Sequence, residues 1–208
     1  STIRIGIVGA GGMGKTHAAS VRALGDAARV VGVVDGVADA AATLADQTGA
    51  KAFSDAGSMF RELEGELDGV VLCTPPSIRL DVIRPAMEQG VGVLIEKPLA
   101  DTIGHANELV ELGGKHPDVV LACAYCHRFT PAILEMNRLA HDGDLGRIVR
   151  WENTFACSIP DMGDRWMSDP AVSGGGSLID TGCHSLDLFR FMCGDITPVG
   201  AVFDREWP

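Results

Sequence analysis

Ile3-Arg4-Ile5-Gly6-Ile7-Val8-Gly9-Ala10-Gly11-Gly12-Met13-Gly14 stands near the start of the chain, and Arg29-Val30-Val31-Gly32-Val33-Val34-Asp35 follows it. Ile3, Ile5 and Ile7 alternate with smaller or polar residues and lead into Val8, which predicts a strand. Glycines crowd the next six positions. His17–Leu24 predicts a helix, with Ala18, Val21, Ala23 and Leu24 on its apolar side. Arg29–Val34 is a nearly continuous β-branched run, the mark of a strand buried on both faces. A strand, a glycine turn, a helix and a second strand ending in an acid together predict a parallel α/β unit.

The alternation continues outward from this unit. Ala38–Thr48 and Ser58–Leu63 predict helices, Gly69–Cys73 a buried strand, Ile78–Gln89 a helix and Val91–Ile95 another strand. Asp101–Lys115 predicts a helix and Val119–Ala124 a strand. Strands alternating with helices call for a parallel sheet covered on both faces over residues 1–124. The pattern changes after Ala124. Pro131–His141 predicts a helix carrying Ile133, Leu134 and Leu139, Ile148–Cys157 alternates as a long strand, and residues 160–176 form a loop rich in Pro, Gly, Asp and Trp. Leu178–Met192 reads as helical and Val199–Phe203 as strand-like. Residues 125–208 are therefore the start of a second domain. So few elements cannot make an independent sheet domain, so the chain is expected to be part of a longer protein.

Composition bounds the partners. The 208 residues carry a formal net charge of −11, with 46% hydrophobic and 22% charged residues. That acidity opposes binding to nucleic acid or to an anionic membrane surface. No apolar run reaches the roughly 18 residues of a membrane span. The alternating strand begins at once, so a secretory signal is not expected. Cys73, Cys123, Cys126, Cys157, Cys183 and Cys193 are scattered, mostly in apolar runs, and predict reduced thiols in a cytoplasmic protein.

Gly9-Ala10-Gly11-Gly12-Met13-Gly14 fits G-x-G-x-x-G. Gly9 permits the tight turn, Gly11 allows backbone to approach a pyrophosphate, and Gly14 lets the helix pack on the strand. Gly12 and Met13 complete the turn at the helix N-terminus, whose free N–H groups and dipole favour phosphate. Such turns are common, but here the motif lies between a strand and a helix, the context it needs. Asp35 lies 21 residues after Gly14. An acid at that strand end accepts hydrogen bonds from ribose hydroxyls and repels a 2′-phosphate, so NAD is expected rather than NADP.

Three further residues carry candidate chemistry. Glu96-Lys97-Pro98 follows the Val91–Ile95 strand, at the sheet end where ligands bind, although a solvated loop lysine is the bland reading of Lys97. Asp180 and His184 are four apart, on one face if the segment is α-helical, and Asp187 lies near the same stripe. An acid can hold a histidine's tautomer while its other ring nitrogen takes a proton; a capping acid with a satisfied histidine explains the same residues. Gly174-Gly175-Gly176 just before them reads as room for a ligand. Cys123 and Cys126 are spaced C-x-x-C, but strand positions i and i+3 face opposite ways, and Cys183 beside His184 cannot converge on one ion, so no metal is assigned. Trp151, Trp166 and Trp207 either line a sugar site or simply pack.

These pieces in order resemble the glucose–fructose oxidoreductase, inositol 2-dehydrogenase and rhizopine-catabolism (Gfo/Idh/MocA) oxidoreductases. The resemblance rests on the glycine turn with His17, then Asp35, Thr74-Pro75, Glu96-Lys97-Pro98, Arg128-Phe129, and Gly175-Gly176-Ser177-Leu178-Ile179-Asp180-Thr181-Gly182-Cys183-His184. It implies a Rossmann domain followed by an α/β domain with a mostly antiparallel sheet, NAD held by the glycine turn, Asp35, Thr74, Pro75, Glu96 and Lys97, and a homo-oligomer, dimer or tetramer. It places the family's catalytic lysine, aspartate and histidine on Lys97, Asp180 and His184, and implies hydride transfer between a sugar, cyclitol or related polyol hydroxyl and the nicotinamide. Pro76 and Arg79 stand where the family usually has Asn and His; Arg79 could meet an anionic substrate or face solvent. Two other readings stand beside the dehydrogenase: a non-catalytic dinucleotide-binding regulator, and a glycosidase that uses NAD transiently.

Overall fold

The computed structural model describes residues 1–156, 160–161, 163 and 165–202. The chain divides into two compact units, Ser1–Ala124 with Ser158–Asp180, and Tyr125–Cys157 with Thr181–Pro208. The chain leaves the first unit after Ala124, and Ser158–Asp180 groups with the first unit rather than the second.

The first unit contains a parallel sheet of β1 (Ile3–Val8), β2 (Ala28–Val34), β3 (Lys51–Phe53), β4 (Gly69–Leu72), β5 (Gly92–Ile95) and β6 (Leu121–Cys123), in the order β3-β2-β1-β4-β5-β6. This is the doubly wound order, and it reverses between β1 and β4. The helices are α1 (Gly12–Ala23), α2 (Ala38–Thr48), α3 (Ala56–Glu62), α4 (Leu80–Glu88) and α5 (Ile103–Lys115). They bury the two faces of the sheet. One face packs Ile7, Val30 and Val33 with Ala18, Val21 and Leu44; the other packs Val70, Leu72 and Ile95 with Met59, Ile83, Met87 and Leu109.

The strand glycines belong to this packing. Gly6 pairs with Gly32 across β1 and β2, and a Cβ on either would lie about 3 Å from the Met59 sulfur, 3.0 Å at Gly6 and 2.9 Å at Gly32. The two missing side chains make the recess that fully buried Met59 fills. Helix starts are capped by local chemistry: the Asp55 carboxylate accepts from Ser58 N at 2.8 Å, and Thr102 Oγ1 accepts from His105 N at 3.2 Å. The Thr102 cap sets the start of α5 at Ile103, two residues after the start expected at Asp101.

β3 has no counterpart in the sequence reading. It has three residues and pairs only with β2 at the sheet edge, too short for any periodicity to show. The Gly174-Gly175-Gly176 reading also changes. Gly174 has φ +83°, and a Cβ there would lie 2.4 Å from Asp101 O; a Cβ on Gly175 would lie 2.7 Å from Ile179 Cγ1. These two glycines serve close packing within the first unit, and only Gly176 faces open space.

The second unit contains α6 (Pro131–His141), and after the short α7 (Pro170–Ser173) of the first unit the chain forms a π-helical turn, Leu178–Gly182, and α8 (Cys183–Cys193). Leu178–Met192 is thus not one α-helix, and the four-residue spacing of Asp180 and His184 loses its α-helical premise. The strand expected at Ile148–Cys157 is absent over 148–156: those residues have no ladder partner among the described residues, and Val149 is 81% exposed. Alternation marks two different faces, but a strand also needs a neighbour for its N–H and C=O groups. Residues 199–202 likewise form no strand. Cys157, Phe203 and Trp207 lie outside the described residues.

Candidate functional site

The glycine turn connects β1 to α1. Gly9 adopts φ +102° and donates from its N–H to Val34 O at 2.8 Å, anchoring the turn to β2. Gly11 is the N-cap of α1 and offers no side chain to the helix N–H groups, and no acid stands in the first turn. The helix start is therefore uncapped by the chain itself, as an anion site requires. A Cβ on Gly11 or Gly12 would meet nothing within 4 Å, whereas a Cβ on Gly14 would lie 2.0 Å from Gly9 O. Gly11 and Gly12 thus border open space and Gly14 closes the packing. Met13 is exposed beside them.

Asp35 sits half-buried just past β2. Its Oδ2 accepts from Ala10 N at 2.7 Å and its Oδ1 from Val37 N at 2.9 Å. The carboxylate thereby clamps the glycine turn to its own loop, and each oxygen keeps a lone pair for another donor. Thr74 and Pro75 follow β4, and the Thr74 hydroxyl oxygen is buried without a hydrogen-bond partner among the described residues. Open space at Gly11, uncapped helix N–H groups, a carboxylate at the strand end and a donor-acceptor hydroxyl without a partner together fit a dinucleotide.

Beyond β5, the Glu96 carboxylate is 7% exposed as a residue and both its oxygens are engaged. Oε1 lies 2.8 Å from His17 Nε2, and Oε2 accepts from Lys97 N at 3.1 Å. His17, on α1, enters the sequence reading only as part of a motif; the structure joins it to Glu96 across 79 residues of chain. The Lys97–Pro98 peptide is cis. The Lys97 ammonium donates to Asp180 Oδ1 at 2.7 Å and to Asp180 O at 2.9 Å, with both side chains mostly buried. Lys97 is not a solvated loop lysine.

Arg79 corrects its sequence reading more sharply. It neither faces solvent nor presents its guanidinium to a substrate anion: it is 2% exposed. Nε and Nη2 donate to Thr74 O at 2.9 and 2.8 Å, and Nη1 donates to Glu96 O and to Pro98 O. Burial pulls its pKa down to about 10, so it stays charged at neutral pH. Burial also pushes the neighbouring Cys73 thiol up to about 12, which keeps it protonated and unreactive.

In the second unit, His184 is 7% exposed and sits among three rings: His127 at 4.4 Å and Tyr125 at 6.0 Å edge-on, and Phe155 stacked at 5.9 Å. Asp187 lies three residues after His184 on α8, as expected, and binds Arg128 through two hydrogen bonds of 2.8 and 2.5 Å. Arg128 also lies over the Phe191 ring at 4.9 Å. Trp151 packs edge-on against Phe189, and Trp166 is exposed. Among the described residues no group of three His, Cys, Asp or Glu side chains is placed to hold a metal, and no helix is long and apolar enough to cross a membrane.

A glycine turn opening an uncapped helix, closed by a strand-end carboxylate on a sheet of this order, defines a dinucleotide-binding Rossmann protein. The chain belongs to the Gfo/Idh/MocA oxidoreductase family: residues 3–123 match the family model described as an oxidoreductase family with an NAD-binding Rossmann fold, and residues 133–208 match the GFO/IDH/MocA C-terminal domain. Rhizopine catabolism protein MocA of Rhizobium meliloti is 30% identical over 92% of this chain and 57% of its own length. Inositol 2-dehydrogenase 2 of Saccharopolyspora erythraea is 28% identical over 93% of this chain and 54% of its own. The crystal structure of GenD2 from gentamicin A biosynthesis, in complex with NAD, superposes with a TM-score of 0.78 at 26% identity, over 93% of this chain and 54% of that one. The chain spans about half the length of the curated relatives it matches.

Proposed function

We propose that the protein is an NAD-dependent dehydrogenase that oxidises a hydroxyl of a sugar, cyclitol or related polyol. The observation that carries this reading is the ion pair between Lys97 and Asp180 beyond the carboxyl end of β5, in a chain of an NAD-binding oxidoreductase family. The glycine turn, Asp35, Thr74 and Pro75 would hold the dinucleotide, with Glu96 and Lys97 on the nicotinamide side. NAD, when bound, supplies the acceptor for the two electrons that leave the carbon.

The remaining work falls to side chains. His184 takes the hydroxyl proton; its setting among Tyr125, His127 and Phe155 excludes water from the ring faces and holds its plane. Lys97 donates a hydrogen bond to the substrate oxygen and stabilises its alkoxide character. Asp180, through its carboxylate and its carbonyl, fixes where the Lys97 ammonium stands. The relatives' names support the substrate class: inositol 2-dehydrogenases, a levoglucosan dehydrogenase and a D-glucoside 3-dehydrogenase. The family likeness supports a homo-oligomer, dimer or tetramer, and the scattered cysteines a cytoplasmic setting; sedimentation of the full-length protein tests the first and fractionation of the source cells the second.

The test is NADH formation by the full-length protein with myo-inositol, levoglucosan and other polyols. A dehydrogenase accumulates NADH, a transient user of NAD does not, and a regulator shows neither chemistry. Lys97→Met and His184→Ala are each expected to lower turnover by about 10²–10⁴-fold while leaving NAD affinity nearly intact. Normal turnover in both variants sinks the assignment. Clearly tighter binding of NADP than of NAD removes the role given to Asp35.

A further inference from the structure

Arg79 is a cation with 2% exposure and, among the described residues, no carboxylate within ion-pair distance. Burying a guanidinium is costly unless its donors are satisfied, and here backbone carbonyls alone satisfy them. Those carbonyls come from two loops. Thr74 O lies on the loop after β4, while Glu96 O and Pro98 O lie on the loop after β5. The latter two flank Lys97 on either side. Arg79 itself stands at the N-cap of α4, a helix anchored by fully buried Ile83, Ala86 and Met87. A rigid element thus reaches through one planar fork to the carbonyls of the residues on either side of the lysine.

We infer that Arg79 is a positioning residue for Lys97: it clamps the Glu96 and Pro98 carbonyls to the Thr74 loop and so holds the lysine backbone from which the ammonium reaches Asp180. This inference rests on the proposed role of Lys97. Lysine at position 79 could not replace the arginine, because an ammonium is a point donor and the carbonyls lie on two edges of the guanidinium.

A double-mutant cycle on the full-length protein separates this role from general support of the fold. The probe is whichever of myo-inositol or levoglucosan gives the faster NADH formation. Arg79→Met is expected to lower kcat by about 10²-fold, the scale of an ångström-sized misplacement, with the NADH dissociation constant changed less than about threefold. In a Lys97→Met background the same change is expected to lower kcat by less than about twofold, because the group it positions is already gone. Equal losses in both backgrounds, or no loss in the presence of Lys97, overturn the inference. If Lys97→Met alone leaves kcat intact, the role of Lys97 falls and Arg79 falls with it; if Lys97→Met is inactive and Arg79→Met is active, only the positioning role is lost. Should Arg79→Met fail to accumulate as folded protein, Arg79→Lys enters the same cycle with the same expected outcomes.

Discussion

Replacing Gly14 by alanine probes the point where fold and coenzyme site meet. The new Cβ would lie 2.0 Å from Gly9 O and 3.0 Å from Gly9 C, so the backbones must separate by about 1.5 Å to reach an ordinary contact. Gly9 cannot retreat cheaply. Its N–H is bonded to Val34 O, its φ is +102°, and its Cα faces the Cys73 backbone. The strain therefore falls on α1, whose Ala18 and Val21 are packed against the sheet. Overpacking of this kind costs about 1–3 kcal/mol, and two backbone partners put it at the upper end. For a protein of this size that corresponds to a fall in Tm of about 5–10 °C. The same shift moves the α1 N–H groups away from a bound pyrophosphate, and NAD affinity is expected to fall by about 10–100-fold. Gly11→Ala is the control, since its Cβ meets no protein atom within 4 Å. It is expected to change stability by less than about 0.5 kcal/mol yet weaken NAD at least about tenfold, because the methyl occupies space that the phosphates need. Thermal unfolding by circular dichroism and titration of NADH fluorescence measure the two effects. A Gly14→Ala protein that melts with the parent, or a Gly11→Ala protein that binds NAD as tightly, refutes this account of the turn.

Two further substitutions test parts of the molecule away from the coenzyme. Asp187→Asn breaks the pairing with Arg128, whose side chain keeps 38% of its surface; about 3–5 kcal/mol for a fully buried pair is thereby reduced to the order of 1–3 kcal/mol, read as a lower denaturation midpoint with kcat preserved below it. A kcat loss without a stability loss would instead return Asp187 to the active site. The Asp68 carboxyl, which accepts from Arg4 N, Nε and Nη2, is held down to about 2 by those bonds. Its folded value lies below its unfolded value of about 3.9, so the stabilisation is fully present above that pH and is lost as pH falls toward 2. Arg4→Met is therefore expected to flatten the fall of Tm between about pH 4 and pH 2; parallel curves for the two proteins would contradict this.

Most of the sheet could be read directly because its strands are buried on both faces. Such strands must be apolar and β-branched along their length, as in Val30–Val34 and Val70–Leu72, and that signal is local. The edge strand Lys51–Phe53 carries none of it, since three residues paired on one side need no pattern. Residues 148–156 show the converse: an alternating segment has the strand pattern but, among the described residues, not the partner. The helix starts were misplaced by a residue or more where a side-chain cap decided them, as at Asp55 and Thr102.

By itself the sequence determined what depends on neighbouring residues: the order of elements, the glycine turn with its open helix start, an acid at the end of β2 and a lysine beyond β5. Only the tertiary structure decided which distant groups meet. Lys97 finds Asp180 across 83 residues and His17 finds Glu96 across 79, and no spacing rule connects either pair. It also decided that Arg79 is interior, because burying a cation requires carbonyls that two separate loops bring together. The physical reason is common to all three. Backbone propensity and periodicity act within a few residues, whereas pairing and desolvation of charge depend on the packed arrangement of the whole sheet.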